Sequence, residues 1–141
     1  LFVVVDHGVL SGLFLSSYSA RKLGMTTTGN AGGPYNLIFS EAPEASEKTL
    51  SALLSRMGTG LLVTELIGQG VNYTTGDFSK GASGFWVENG RVAYPAERIT
   101  VCGSTDHIFM SFEAMSDDVD LNGCYLNGSV LIREMTVAGN S

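Results

Sequence analysis

Phe85-Trp86-Val87-Glu88-Asn89-Gly90-Arg91-Val92-Ala93-Tyr94 reads as two strands joined by a two-residue turn. Asn-Gly supplies the positive φ angles of a type I′ turn, whose twist matches that of the strands it joins. Aromatic and β-branched residues flank the turn, so an antiparallel hairpin is expected here. Pro95 follows; it has no N–H to donate and is expected to end the pairing.

Upstream, Leu61 to Ile67 is apolar and of strand length, and Gly68-Gln69-Gly70 breaks it. Between that break and the hairpin, Val71 to Gly84 is rich in Gly, Thr, Ser and Asn, yet carries Tyr73 and Phe78. It reads as a turn-rich connection. Such a stretch exposes backbone N–H and C=O groups that could accept an extended peptide by strand addition.

Farther upstream, Glu41 to Met57 reads as a helix. Pro43 lies near its start and Ser46 is the expected cap. Leu50, Leu53, Leu54 and Met57 fall at i, i+3, i+4 and i+7 on one apolar face, and Gly58 stops it. Leu1-Phe2-Val3-Val4-Val5 suits a buried strand, Asp6-His7-Gly8 a hairpin turn, and Val9 to Leu15 its return. Ser17 is the expected cap of a short helix through Leu23, with Gly24 ending it in the left-handed conformation. Thr26 to Pro34 is loop-like, and Tyr35 to Phe39 is a strand.

Downstream, Ile99 to Cys102 is a short strand. Ser104 or Thr105 then caps a helix running to about Met115, with Ile108, Phe109, Phe112 and Met115 on one face. Asp117-Asp118-Val119-Asp120 is an acidic loop, and Val130 to Val137 a closing strand. The total is α+β: mostly antiparallel β-sheet, with two amphipathic helices and one short helix.

The chain has 141 residues, about one domain. Apolar residues make up 44% and charged residues 16%, which excludes a disordered chain. The 18 glycines show no Gly-X-Y period, so collagen is excluded and many tight turns are expected. Eight basic against fourteen acidic residues give a net charge of -6, the opposite of a nucleic-acid-binding surface. No stretch reaches the ~18 apolar residues of a membrane span. Two cysteines outside any CxxC pair fit a reducing compartment. The first residue is Leu1, inside an apolar run, so the chain is read as a piece of a longer protein.

No catalytic constellation stands out by spacing. A zinc helix of the HExxH type needs two histidines on one face, whereas His7 and His107 are far apart; each reads as a surface or partly packed residue. Cys102 reads as a small buried hydrophobe and Cys124 as the more exposed thiol, with no base beside it. Asp117, Asp118 and Asp120 lack the glutamate that a calcium loop places at its twelfth position, which here is Ser129. Gly68-Gln69-Gly70 lacks the Gly-Lys-Ser/Thr of a phosphate loop.

Longer words carry more. Ser16 to Gly24 followed by Thr27 to Gly33, Gly60 to Asn72, Thr75 to Gly90, and Gly128 to Leu131 with Glu134 to Gly139 together resemble the PmbA/TldE branch of the TldD/PmbA family. The most specific word is Thr75-Gly76-Asp77-Phe78-Ser79-Lys80-Gly81-Ala82-Ser83-Gly84-Phe85-Trp86-Val87-Glu88-Asn89-Gly90; residues 103–127 match least.

The resemblance implies a cytoplasmic bacterial protein of which residues 1–141 form a C-terminal domain. It implies a heterodimer in which a TldD-like subunit carries the zinc of a metalloprotease, through an HExxxH helix and a C-terminal cysteine. That complex processes peptides and unfolded proteins, including a peptide-antibiotic precursor and an antitoxin, and bears the older label modulator of DNA gyrase. The PmbA/TldE subunit lacks the zinc ligands, so zinc is expected in the partner and no cofactor in this chain. Cys124 falls in the general region of the TldD cysteine, but Asn122-Gly123-Cys124-Tyr125 departs from both subunits' patterns, and no metal ligand is carried over.

The expectation is therefore a non-catalytic subunit domain with no catalytic residue of its own. Thr75, Gly76, Asp77, Ser79, Gly81 and Ser83 are the substrate- or partner-facing candidates. Direct contact with nucleic acid or membrane is not expected. Two alternatives differ in class. In one, the parent protein is itself the zinc peptidase, with Cys124 as a ligand. In the other, this is a structural dimerisation domain, with the strands at Val5 and Val137 pairing across a homodimer.

Overall fold

The computed structural model describes residues 2–40, 46–47 and 49–139. They form two compact units, one up to Ile38 and one from Phe39 onward.

In the first unit, β1 (Val5–Asp6) and β2 (Val9–Leu10) pair antiparallel around His7 and Gly8, both at positive φ. The turn falls where the sequence puts it. The strands are only two residues each, however, and Val5, Val9 and Leu10 are exposed rather than buried. Leu1 lies outside the described residues. A ladder this short buries little by itself, and β-branched composition suits an open strand as well as a buried one.

Helix α1 (Ser17–Leu23) ends at Gly24 in the left-handed conformation, as expected. Its cap is Ser16, one residue earlier than predicted: the Ser16 side chain accepts from Ser19 N–H at 3.1 Å. The Thr-rich loop after it is tied to the buried Leu15. Leu15 N–H donates to Thr28 Oγ1 at 2.8 Å, and Thr27 Oγ1 donates to Leu15 C=O at 2.9 Å. Strand β3 (Leu37–Ile38) closes the unit, shorter than the Tyr35–Phe39 expected.

The second unit holds β4 (Ser46–Glu47), α2 (Leu50–Met57), β5 (Gly60–Ile67), β6 (Asp77–Glu88), β7 (Arg91–Ser104), α3 (Thr105–Met110), β8 (Phe112–Ser116), β9 (Tyr125–Leu126), β10 (Val130–Ile132) and β11 (Thr136–Ala138). The helix expected over 41–57 is confined to its second half. Thr49 caps it, accepting from Ala52 N–H at 3.1 Å. Ser46, the predicted cap, lies in β4; Glu41 and Pro43 lie outside the described residues. The expected apolar face is real: Leu53 is buried against Ala114 and Leu131, with Met57 packed beside them. Glu113 on β8 ties the arrangement electrostatically, 3.1 Å from Arg56 of α2 and 3.9 Å from Arg133.

Two sheets organise this unit. One is three-stranded, ordered β10-β8-β4, with β10 antiparallel and β4 parallel to β8. The other is antiparallel and four-stranded, ordered β11-β7-β6-β5. Its centre is the predicted hairpin, turning on Asn89 and Gly90 at φ 51° and 72°. The hairpin is far longer than its sequence signal. Residues 77–84, expected as a polar connection, are the first part of β6, paired with β7 along one side and, from Gly81 on, with β5 along the other.

Pro95 does not end the pairing. It sits opposite Phe85 inside β7. Among the described residues, β7 has no neighbour on its other side there, since β11 pairs with Thr100 to Cys102. A proline is tolerated where its missing N–H would face no partner strand.

Two further expectations fail. The helix expected to run to Met115 gives way to β8 at Phe112 to Ser116, because apolar residues at i, i+3 and i+4 fit a buried strand end as well as a helix face when the run is short. The single strand expected over Val130 to Val137 divides into β10 and β11 with residues 133–135 between, because β10 pairs with β8 in one sheet and β11 with β7 in the other. Ser104 does cap α3, accepting from His107 N–H at 3.1 Å, and the helix stops at Met110.

Candidate functional site

The link from β5 to β6 turns on Asn72. Its Oδ1 accepts from Thr74 N–H at 3.0 Å and from Thr75 N–H at 3.3 Å. Asn72 N–H bonds to Asp77 C=O and Gly76 N–H to Asn72 C=O, each at 2.8 Å. These bonds replace the ladder where the chain reverses and deliver Asp77 to the head of β6. Thr75 Oγ1 donates to Asp77 Oδ2 at 2.5 Å, fixing the carboxylate at the strand entrance. Ser79 N–H reaches back to Gly70 C=O at 2.7 Å. That crossing is so close that a Cβ on Gly70 would lie 1.7 Å from Ser79 O.

Side chains alternate across a strand. Asp77, Ser79, Gly81 and Ser83 therefore share one face of β6, and Phe78, Lys80 and Ala82 take the other. The ladder register brings Ser104 beside Asp77, Cys102 beside Ser79, Thr100 and Ile67 beside Gly81, and Glu65 beside Ser83. Ser83 Oγ lies 3.5 Å from Glu65 Oε2. The resulting face carries hydroxyls and two carboxylates. At its open end, Gln69, Gly70, Val71, Asn72, Asp77 and Ser79 line a shallow cleft of about 370 Å³.

The structure thus brings four of the six candidate residues onto one face. Thr75 and Gly76 lie in the turn just before it, with Thr75 bonded to Asp77. It also changes what the segment can offer. The backbone of residues 77–83 is flanked by β7 on one side and by residues 70–72 and then β5 on the other, so strand addition is closed to it; only side chains are presented.

A second cleft, of about 310 Å³, was not legible in the sequence. Cys102, Gly103, His107, Ile108, Glu134, Met135 and Thr136 line it. His107 Nε2 lies 3.3 Å from Glu134 Oε1 and 3.3 Å from the buried Ser111 hydroxyl. These groups come from β7, α3 and the segment between β10 and β11, and no local spacing links them.

The remaining chemistry-bearing residues stand apart. His7 is exposed and 2.6 Å from Asp6 Oδ1. Cys102 and Cys124 are free thiols, half-buried and exposed respectively. Asp118 is held by Ser116 and Ser129, and Asp120 Oδ1 accepts from Asn122 N and Nδ2 at 2.9 Å each. These carboxylates order a loop. Among the described residues, no three His, Cys, Asp or Glu side chains converge as metal ligands. The side chains described therefore do not by themselves make a zinc site. Among the same residues, no helix is long and apolar enough to cross a membrane.

Residues 2–139 match the model of the PmbA/TldA metallopeptidase C-terminal domain. The chain is 44% identical over 137 residues to the metalloprotease PmbA homolog of Haemophilus influenzae, covering 97% of this chain and 30% of that protein. It is 43% identical over 136 residues to metalloprotease PmbA of Escherichia coli O157:H7, covering 96% and 29%. The metalloprotease TldD homolog of Haemophilus influenzae is more distant, at 24% over 127 residues, 85% of this chain and 26% of that protein. Among solved structures, a candidate modulator of a DNA gyrase from Thermotoga maritima superposes with a TM-score of 0.82 at 35% identity, over 96% of this chain and 32% of that one. The chain spans about 30% of the length of these two PmbA relatives.

Proposed function

The chain belongs to the PmbA/TldD metallopeptidase family, and from that premise we propose that it is the C-terminal domain of a non-catalytic, PmbA/TldE-type subunit. It builds part of a substrate path and of the interface with a zinc-bearing, TldD-like partner in a cytoplasmic complex that processes peptides and unfolded proteins. The observation that carries this reading is the chain's likeness to PmbA relatives, at 44% and 43% identity, over the TldD relative at 24%. A catalytic zinc needs three protein ligands and an open position for water, so the ligands of the complex are assigned to the partner.

The polar face of β6 is the part offered to peptide or partner, through Thr75, Asp77, Ser79 and Ser83. An extended peptide adding a strand would do so at the outer edge of β5, among the described residues the edge strand beside Gly81 and Ser83. Replacing Asp77 and Ser79 by Ala is expected to weaken peptide processing by the complex while leaving the fold intact; unchanged processing would remove the face from the substrate path.

The test of the subunit assignment is zinc content by elemental analysis, on the full-length protein with and without its partner. Zinc only in the presence of the partner is the expected result. Stoichiometric zinc in the protein alone would make it the peptidase, and Cys124 the first residue to mutate.

A further inference from the structure

The cleft at the head of β6 combines two features that rarely serve the same ligand group unless it is amphipathic. Val71 and Gly70 line it together with the neutral Gln69, Asn72 and Ser79, and its one charged lining residue is Asp77. One carboxylate oxygen is fixed by the Thr75 hydroxyl at 2.5 Å. Among the described residues, Asp77 pairs with no cation. Lys80, the nearest cation along the strand, alternates onto the opposite face. A hydrocarbon stem ending in a positive charge satisfies both features: the stem lies along apolar wall while the head meets the carboxylate.

We infer that this cleft selects a lysine or arginine side chain of the extended peptide, making Asp77 a specificity-determining residue. The inference rests on the peptide-facing role proposed above for the same face and names the substrate class it takes. Electrostatics favours it twice. The pair at Asp77 is short-range, and the net charge of -6 steers a cationic segment toward the surface.

The test is fluorescence polarisation on the full-length protein with three labelled peptides identical except for a central Lys, Gln or Glu. An exposed ion pair predicts the Lys peptide binding about two- to fivefold more tightly than the Gln peptide, with the Glu peptide weakest. Asp77→Asn is expected to erase the Lys preference, and Asp77→Lys to invert it. Glu88→Gln is the control, because it removes the same charge from the far end of the same strand, roughly 36 Å away. It should leave the preference in place. Equal binding of the Lys and Gln peptides, or a Lys preference that survives Asp77→Asn, would overturn the inference while leaving a peptide-binding face. Failure of all three peptides to bind would overturn the inference and the peptide-facing role together.

Discussion

Asp118 accepts two hydrogen bonds from Ser129, one from its backbone N–H and one from its hydroxyl, both at 2.7 Å. The Ser116 hydroxyl donates a third. One carboxylate therefore closes the loop between β8 and β10, the loop that carries Cys124. Partial burial pushes its pKa up. The Ser116 hydroxyl and the Ser129 N–H and hydroxyl outweigh that, so the group sits below its ordinary 3.8.

The sign of the pH dependence follows. A carboxyl with a depressed folded pKa stabilises the fold above its unfolded pKa, and that contribution is lost as pH falls through the folded value. Asp118→Asn is expected to cost about 1 kcal/mol at neutral pH, the low side for charge-assisted bonds because the residue is largely exposed. Urea unfolding at neutral pH and in acid checks it. The gap between the two proteins should close in acid; a constant gap would show that the ionised form is not what holds the loop.

Gly70→Ala places a methyl group 1.7 Å from Ser79 O, a backbone atom that cannot rotate away. The crossing must open, with loss of the Ser79–Gly70 bond. A destabilisation of about 2 kcal/mol or more is expected by denaturant unfolding. The effect should concentrate at the β5–β6 link, where amide hydrogen exchange would accelerate first.

Leu53→Ala removes the buried centre of the α2–β8–β10 packing. The expected cost is about 3 kcal/mol, within the range of buried Leu→Ala changes. Leu50→Ala, on the same helix but only half-buried, should cost clearly less. Equal costs would contradict the packing described.

Thr49→Ala deletes the α2 cap and should cost about 1 kcal/mol, with Thr49→Ser recovering most of it. Chemical denaturation of the three proteins distinguishes a lost cap from a lost methyl contact, because only the former is rescued by serine.

Legibility in the sequence tracks the range of the forces involved. The turns at His7-Gly8 and Asn89-Gly90 and the stop at Gly24 depend on one or two residues' φ angles, and they fall where expected. The cap of α1 lies one residue from its predicted place, because Ser16 and Ser17 are equivalent as sequence and only the chain's entry angle separates them. Residues 77–84 are harder. Gly81, Ser83 and Gly84 have little strand propensity of their own, and β6 exists there because β5 and β7 flank it. Gly84 is needed for the closeness of that pairing, since a Cβ there would meet Leu62 O at 1.9 Å. The candidate site follows suit: residues 75–83 are legible as a word in the sequence, but which of them share a face is set by register.

By itself the sequence determined the family words, the acidic balance, the α+β composition and the local turns, all of which rest on identity or on contacts within a few residues. Only the tertiary structure decided that a glycine-rich stretch becomes a central strand, that Pro95 lies inside a strand with an open side, and that His107 and Glu134 meet. These outcomes depend on pairing between segments tens of residues apart, where the free energy of the neighbour outweighs local preference.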